Sequence, residues 1–287
     1  MVIAWPEPRS RRYRHPVIDI PGELAERAAH FLRQWDLRRD GPPMRGRCAH
    51  VLPVLRADGT PAVLKLQDVD DETVGEPIAL RAWNGDGAVR LLAADSGTLL
   101  LERLDSDREL DDLPDTREAT LVIAELLAHL TATPAPPELR RLADIAPRLL
   151  DRTAALLPRM KDPAPLADCA AAVREVAGEP GDRLLHWDLH FENVLASDRA
   201  PWLAIDPKPL AGDPGFELFP ALWNRFDADE VRWRFDAMTD VLGLDRDRAR
   251  AWTLGRVLQN SVWQIEEGGL PLPEHLEIAD RLRGQGG

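Results

Sequence analysis

The chain has 287 residues, of which 44% are apolar and 30% charged, and 49 acidic residues against 36 basic ones give a net charge of −13. This composition excludes a disordered, collagen-like or fibrous chain. The negative charge disfavours general nucleic-acid binding and weakly favours a cationic ligand. Without an apolar run of 18 residues or a signal-peptide pattern, and with only two cysteines, we predict a cytoplasmic protein that does not enter a membrane.

The first hundred residues have the pattern of a strand-rich unit with helices. Residues 1–22 are rich in Pro and Arg, which predicts a surface segment. An Asp-Gly pair between two apolar runs is typical of a hairpin turn. The predicted elements are a helix over 23–37, a hairpin that turns at 57–60, a helix over 72–83 and strands over 88–92 and 98–101.

Helical patterns dominate the remainder of the chain. The predicted elements are helices over 115–131, 139–157 and 166–177, short strands over 184–186, 194–196 and 202–205, and helices from 216 onward. We therefore predict an α+β fold of two lobes. Residues 1–101 would form a small β-rich lobe. Residues 102–287 would form a larger, mainly helical lobe.

The segment 184–210 has the sharpest chemical pattern. Asn193 follows Asp188 by five residues, and Asp206 follows it by eighteen. The first spacing is that of a kinase catalytic loop, in which the Asp accepts the substrate hydroxyl proton and the Asn binds Mg²⁺. We predict Asp188 as catalytic base and Asn193 with Asp206 as ligands of Mg²⁺, a cation that prefers hard oxygen atoms.

Two other interpretations of this segment stay open. An Asp or Asn beside a turn is commonly a cap or an Asx-turn, so the five-residue spacing alone is weak. His186, Asp188 and His190 alternate as they would on one face of a strand, which also fits a transition-metal cluster and hence a metal-dependent hydrolase.

A kinase also needs a lysine and an acidic partner upstream. Lys65 is one of only three lysines in the chain, the others being Lys161 and Lys208, and it lies in the predicted second strand of the hairpin. Glu76 follows eleven residues later in the next predicted helix, and we expect the pair to hold the α- and β-phosphates of ATP. Glu76 precedes Pro77, which indicates a helix start, so Glu72 is the alternative partner.

The rest of the nucleotide site is less distinct. Residues 44–54 contain a single glycine, Gly46, yet the backbone N–H groups of Cys48, Ala49 and His50 could form an anion nest. An apolar strand then ends at the boundary between the predicted lobes. There the backbone of Glu102 to Leu104 is expected to contact adenine.

At these residues the chain resembles the aminoglycoside phosphotransferase-like kinases, and within them the streptomycin 6-phosphotransferase and hydroxyurea phosphotransferase group. The segments that carry the resemblance are LKL (64–66), ALRAWNGDGAVRLLAAD (79–95), LLLERL (99–104), LLHWDLHFENVL (184–195) and AIDPKPLAGDPGFELFPALWNR (204–225). It implies a protein-kinase-like fold that uses ATP and Mg²⁺, with the roles given above. It also implies that His190 supports the loop or a phosphate, and that Trp187 stands where many relatives have glycine.

Acceptor recognition is expected from the helical part after Asp206. The acidic, amide and aromatic candidates are Glu217, Trp223, Asn224, Asp227, Trp263, Glu266 and Glu267. Carboxylates among them would suit a cationic aminocyclitol. The sequence therefore predicts an ATP-dependent O-phosphotransferase that acts on an antibiotic such as streptomycin. The alternatives are the hydrolase and a kinase-like protein that binds nucleotide or a small molecule without turnover.

Overall fold

The computed structural model describes residues 22–45 and 49–284. Within these, the N-terminal part is an antiparallel sheet with two helices. The elements are α1 (Gly22–Gln34), β1 (Arg38–Arg39), β2 (Met44–Arg45), β3 (Ala49–Leu55), β4 (Pro61–Gln67), α2 (Glu76–Trp83), β5 (Leu91–Asp95) and β6 (Thr98–Glu102). The sheet order is β1-β3-β4-β6-β5, and β2 pairs with the first half of β3.

The hairpin and the first helix are confirmed. Asp58 accepts a hydrogen bond from Thr60 N at 2.9 Å, and Gly59 takes a φ of +81°, which a residue without Cβ adopts at little cost. The α1 helix packs Ala28 and Phe31 onto a small core with Leu52, Leu64 and other residues of the sheet. The sheet is thereby covered on one face, and the other face is left for the second part of the chain.

The C-terminal part is mainly helical and contains short strands. Its elements are β7 (Asp105–Glu109), α3 (Thr116–Leu130), α4 (Leu142–Leu156), α5 (Ala164–Val176), β8 (Arg183–Leu185), β9 (Val194–Ala196), β10 (Leu203–Ala204), β11 (Leu210–Gly212), α6 (Phe219–Trp223), α7 (Val231–Leu242), α8 (Arg246–Glu266) and α9 (Pro273–Arg283). The α+β fold expected from the sequence is confirmed. None of the helices in the described part of the chain is both long and apolar enough to cross a bilayer.

Five strands differ from the sequence prediction, and the two-residue strands β1 and β2, which were not predicted, are among them. The strand predicted over 88–92 was placed too early in the chain, because β5 begins at Leu91. Ala88 instead makes an isolated bridge to Ala204. The β7 strand consists largely of charged residues, and β11 has only three, so neither gave an alternating apolar pattern. The division into lobes at residue 101 stays a prediction.

The short strands place the chemical segment between the helices and the sheet. β8 pairs with β11, and β9 pairs with both β10 and β7. The long helix α8 packs against α5, α4 and the 3-10 turn Pro214–Glu217 that follows β11, and it is buried over most of its length. Asp213 caps the turn after β11 by accepting a hydrogen bond from Gly215 N at 2.8 Å, with Pro214 as the next residue. The loops that carry Asp188 and Asp206 are therefore fixed at both ends.

Gly75 is a point of close contact between the segment before α2 and the helical part. A Cβ atom there would lie 2.8 Å from Leu139 Cδ2 and 3.0 Å from Pro209 Cγ. We expect Gly75→Ala to lower the free energy of unfolding by about 1–3 kcal/mol, measured by urea denaturation. Gly178→Ala, at a position with no atom within 4 Å, is the control and should change it by less than about 0.5 kcal/mol. Equal effects would contradict the close contact.

His275 gives the fold a dependence on pH. It is fully buried between the rings of Phe219 and Trp223, and burial, followed by the charge of Arg256, lowers its pKa to about 3. His275 therefore binds a proton below pH 6.5 in the unfolded chain but only near pH 3 in the folded chain, so the folded state loses stability as the pH falls. His275→Phe should gain stability relative to the wild type as the pH falls, by about 2–3 kcal/mol at pH 4.

Chemical denaturation at several pH values measures this gain. The control is His30→Phe at an exposed position, which should keep the wild-type pH dependence. A stability difference for His275→Phe that is constant between pH 7.5 and pH 4 would refute the prediction.

Candidate active site

A buried lysine forms the centre of the site. Lys65 Nζ lies 2.7 and 2.8 Å from the two carboxylate oxygens of Glu76 and 2.5 Å from Asp206 Oδ1. Burial alone would lower the pKa of Lys65, but Asp206 and Glu76 raise it above its ordinary value. The lysine is therefore charged at neutral pH, and it joins a strand, a helix and a loop that are distant in sequence.

The local structure explains this placement. Lys65 and Gln67 point to one face of the central strand β4, while Leu64 and Leu66 point into the core on the other face. Glu76 is the first residue of α2, as Pro77 indicated, and it also accepts a hydrogen bond from Gln67 Nε2 at 2.7 Å. Glu72, the alternative partner, lies instead 4.0 Å from Arg140. Sequence reasoning missed Gln67, although its spacing of two from Lys65 is a strand signal.

Asp206 contributes to the same network from the loop after β10. Its φ of +60° is in the left-handed region, which is unusual for a residue with a Cβ and indicates a constrained loop. Burial would raise the pKa of this carboxyl group, but the charge of Lys65 and its hydrogen bond lower it to about 2. The carboxylate is ionised at neutral pH, as a metal ligand must be.

Asp188 has one carboxylate oxygen engaged and one without a partner. Lys208 Nζ donates to Asp188 Oδ2 at 2.8 Å, whereas Oδ1 has no hydrogen-bond partner among the described residues. Burial lowers the pKa of Lys208, but Asp188 raises it above its usual value. Lys208 is placed by a backbone hydrogen bond to His186 O at 3.0 Å, next to the β8–β11 pair.

Both histidines of the segment are buried, and His186 has hydrogen-bond contacts at both ring nitrogens. His186 Nε2 donates to Ile205 O at 3.0 Å, and Nδ1 faces Asp188 N at 3.4 Å. Burial lowers the pKa of His186 to about 4, so the ring is neutral and has no nitrogen left for a metal. His190 is buried and its carbonyl accepts from Asn193 N at 2.9 Å. No group of three His, Cys, Asp or Glu residues in the described part of the chain could hold a metal ion, which counts against the hydrolase.

Asn193 and Asp206 form a donor set that fits Mg²⁺. Asn193 Nδ2 donates to Asp188 O at 2.9 Å, which leaves its Oδ1 as a ligand. Ile205 N donates to Asn193 O at 2.9 Å and continues the β9–β10 pairing, so this register brings Asp206 next to Asn193. One amide oxygen and one ionised carboxylate are hard ligands, and Mg²⁺ needs few protein ligands because it keeps several waters.

Trp187, which precedes Asp188, is held from several sides. Its φ is +68°, which is strained for a residue other than glycine. Its N–H donates to both oxygens of Glu217 at 2.8 and 2.9 Å, and its carbonyl accepts from Arg256 at 3.1 Å. The guanidinium groups of Arg140 and Arg256 lie 4.0 and 4.4 Å from the ring centroid. These contacts substitute for the conformational freedom of glycine.

Sequence reasoning missed the two arginines around this tryptophan. Arg140 also donates to Lys208 O at 2.9 Å, so it joins the loops that carry Asp188 and Asp206. Burial lowers the pKa of Arg256 to about 10, although Asp188 and Glu217 act in the opposite direction. Arginine is the common basic residue of this chain, so neither position stood out in the sequence.

Several predicted nucleotide residues have other contacts. Ala49 and His50 lie in the extended strand β3, where His50 is paired with both Arg45 and Leu66, so these two residues do not form the predicted anion nest. Gly46 and Cys48 fall outside the described residues. Glu102 N donates to Arg90 O, and its carboxylate binds Arg199. Leu104 lies between β6 and β7, where contact with adenine stays a prediction.

Arg199 joins the β9–β10 hairpin, which is flanked by Asn193 and Asp206, to the sheet part. It lies in the loop between β9 and β10 and donates to Gly85 O at 2.6 Å and to Ala88 O at 2.9 Å. Its side chain also binds the carboxylate of Glu102 at the end of β6. One arginine therefore joins two segments of the sheet part, the loop between α2 and β5 and the end of β6, to the β9–β10 hairpin.

The predicted acceptor residues divide into two groups. Glu217 and Asn224 support the loop over residues 186–193, called the catalytic loop after its expected role. Glu217 accepts from Trp187 N, and Asn224 Oδ1 accepts from Phe191 N at 2.8 Å. Burial raises the pKa of Glu217 to about 7, although Trp187 N–H lowers it. Trp263 contacts the Trp187 ring edge-on at 5.8 Å between centroids.

The other acceptor candidates lie apart from the catalytic loop. Trp223 packs on His275, Glu266 pairs with Arg152 at the surface, and Glu267 ends α8. Asp227 lines a surface cavity of about 630 Å³ with Arg117 and Glu230. Trp263 therefore differs from Glu217 and Asn224, because it contacts the side chain of Trp187 and not the backbone of the catalytic loop.

Comparison with known proteins identifies the family to which this site belongs. Residues 34–268 match the profile of a family described as aminoglycoside/hydroxyurea antibiotic resistance kinase. The chain belongs to this family. It is 55% identical to a hydroxyurea phosphotransferase of Kitasatospora aureofaciens, over 94% of this chain and 88% of the relative. It is 52% identical to a streptomycin 6-kinase of Streptomyces glaucescens, over 88% of this chain and 87% of that protein.

Solved structures show the same fold at low identity. An ethanolamine kinase of Plasmodium vivax superposes with a TM-score of 0.62 at 13% identity, covering 95% of this chain and 91% of that one. The protein-kinase-like fold expected from the sequence is confirmed. Membership of the resistance kinase family also makes the chain an enzyme that phosphorylates a hydroxyl group.

The two glutamates before and in α2 give a matched test of this kinase site. We expect Glu76→Gln to lower kcat/KM for ATP about 10–100-fold, because it leaves the buried Lys65 with one acidic neighbour instead of two. Glu72→Gln should change it less than about threefold. Steady-state kinetics with varied ATP measures both. A larger effect at Glu72 would contradict the assignment of Glu76.

Proposed function

We propose that the chain transfers the γ-phosphoryl group of ATP to a hydroxyl group of an aminocyclitol antibiotic of the streptomycin type. The observation that carries this proposal is that Asp188 Oδ1 has no hydrogen-bond partner among the described residues, in the same site as the ion pairs of Lys65 with Glu76 and Asp206. Support for the acceptor class comes from the streptomycin 6-kinase relatives, at 52% and 50% identity. The presence of both parts also favours turnover over nucleotide binding alone.

Asp188 would orient the acceptor hydroxyl and take its proton. Oδ1 is the atom left to accept the hydroxyl hydrogen bond, because Oδ2 is bound by Lys208. Lys208 holds the carboxylate in one rotamer and stabilises its negative charge until the proton arrives. Placing the hydroxyl in this way converts a collision between two solutes into a step within one complex. This is the main contribution that phosphoryl transfer asks of a protein.

Lys65 would bind the α- and β-phosphates, and Glu76 with Gln67 fixes its position. Asn193 Oδ1 and Asp206 would hold Mg²⁺, which when bound neutralises phosphate charge. Asp206 and the phosphates both attract the lysine, so nucleotide entry shifts Lys65 from a carboxylate pair toward phosphate oxygens. Lys65 is thus charged and buried beside Glu76 before nucleotide arrives, which limits the rearrangement needed at the reaction.

The electrostatics near the catalytic loop support a cationic acceptor. Burial, followed by the charges of Asp112, Glu192 and Asp111, raises the pKa of Glu109 to about 7. Glu192 belongs to the 3-10 turn Phe191–Asn193 of the catalytic loop itself. A concentration of acidic groups at this point would attract ammonium or guanidinium groups of the acceptor.

Hydroxyurea is the second candidate acceptor. The relative named hydroxyurea phosphotransferase is 55% identical, over more of the chain than the streptomycin 6-kinases. Its acceptor is small and neutral, so it would need no carboxylate contacts. A coupled ADP-release assay with both compounds, with phosphorus NMR of the products, distinguishes the two acceptors. Absence of acceptor-dependent ADP release with every member of a panel of aminoglycosides and hydroxyurea would contradict the proposal.

Asp188→Asn tests the base. The amide keeps the size of the side chain but cannot accept the proton, so kcat should fall by about 10³-fold or more while ATP binding stays within about threefold. Stopped-assay kinetics and calorimetry with ATP give the two quantities. The control is Asp198→Asn in the exposed loop between β9 and β10, which should retain activity. Unchanged turnover in Asp188→Asn would exclude Asp188 as the base.

A further inference from the structure

The catalytic loop and α8 each contain buried polar atoms without a hydrogen-bond partner among the described residues, and the proposed mechanism gives a role to only one of those named next. They include Asp188 Oδ1, Trp187 Nε1 and both ends of the Asn260 amide. Asn260 is only 2% exposed, and neither its Oδ1 nor its Nδ2 has a hydrogen-bond partner within the described ranges. Proteins rarely leave a buried amide unpaired, because its lost hydration is not replaced.

Helix geometry places this amide beside the catalytic loop. Arg256 and Trp263 both contact the ring of Trp187, at 4.4 and 5.8 Å between group centres. Asn260 is four residues after Arg256 and three before Trp263, so it lies on the same face of α8 between them. That face is directed at the residue that precedes the catalytic base. Trp187 is adjacent to Asp188 in the chain, so this face of α8 places Asn260 near the carboxylate that is expected to meet the acceptor.

The charge of the surroundings determines which acceptor group fits. Arg256 is a cation on the same helix face, and its carboxylate neighbour Glu217 is already engaged by Trp187 N. A guanidinium or ammonium group at Asn260 would therefore meet a like charge. The N–H groups of Trp187 and Asn260 suit a neutral oxygen atom, and Asn260 Oδ1 can accept from a hydroxyl.

We infer that Asn260 and Trp187 Nε1 form an acceptor subsite for a neutral oxygen on the atom next to the one that bears the reacting hydroxyl. This inference rests on the proposed function and specifies how its acceptor is recognised. An aminocyclitol offers a second ring hydroxyl in that position. Hydroxyurea offers its carbonyl oxygen in the same position. The shared chemistry is a vicinal pair of oxygens, so one subsite serves both acceptors.

The test combines a protein change with an acceptor change. Asn260→Leu keeps the approximate volume and removes the amide, and the matched control Ser261→Ala removes another unpartnered buried polar group one position along α8. Calorimetry in the presence of a non-hydrolysable ATP analogue and Mg²⁺ measures acceptor binding. The acceptors are streptomycin with its analogue deoxygenated beside the phosphorylated carbon, and hydroxyurea with hydroxylamine, which lacks the carbonyl.

The wild type should bind each intact acceptor about tenfold more tightly than its oxygen-deficient counterpart. Asn260→Leu should lose this preference and keep its melting temperature and nucleotide affinity, whereas Ser261→Ala should keep the preference. Retention of the preference in Asn260→Leu, its loss in Ser261→Ala, or a wild type without preference or without acceptor binding would overturn the inference. The comparison of acceptors on the wild type needs no variant to fold.

Turnover is measured separately with the same acceptors. A wild type that binds the intact acceptors with the expected preference but releases no ADP would contradict the proposed function and leave the subsite supported. If the intact acceptor is preferred in only one of the two pairs, the subsite serves that acceptor, either the aminocyclitol or hydroxyurea. Turnover without preference would support the kinase and overturn the subsite.

Discussion

The structure depends on keeping the charge of Lys65 paired in a place with almost no water. An unpaired ammonium group would be strongly destabilised there, so the lysine needs carboxylates from other parts of the chain. Glu76 comes from the helix after the strand and Asp206 from a loop 141 residues away. Satisfying one buried charge therefore draws together the sheet, α2 and the loop after β10, which are the parts that a phosphate-transfer site requires.

A second constraint acts on the backbone at Trp187. Its left-handed conformation costs a non-glycine residue about 1–3 kcal/mol, and the cost is offset by Glu217, Arg256 and Arg140. The same contacts determine the direction of Asp188, the next residue. The two arginines lie over the Trp187 ring and Glu217 accepts from its backbone N–H, so the strained residue is also the one that supports the catalytic loop.

The sequence predicted the parts of the site that depend on local spacing. Asp188, Asn193 and Asp206 follow fixed intervals around short strands, and the resemblance to the kinase family assigned them roles. Gln67, Arg140 and Arg256 could not be found in this way, because their contacts link distant segments and arginine is common throughout the chain. The charged strand β7 was missed since strand prediction relies on apolar alternation. Glu217 was predicted near the acceptor, yet its contacts are with the catalytic loop backbone.

The contacts of Arg199 have a consequence for how the enzyme opens. The bonds from this side chain to Glu102, Gly85 and Ala88 cross from the β9–β10 hairpin to the sheet part. A rotation that separates the two parts can preserve these bonds only if its axis passes close to Arg199. Ala204, two residues before Asp206, also exchanges backbone hydrogen bonds with Gly87 and Val89, so such an axis would run along the hairpin and would leave Asp206 almost stationary relative to the sheet. Nucleotide exchange would then displace mainly the helices farther from this pivot.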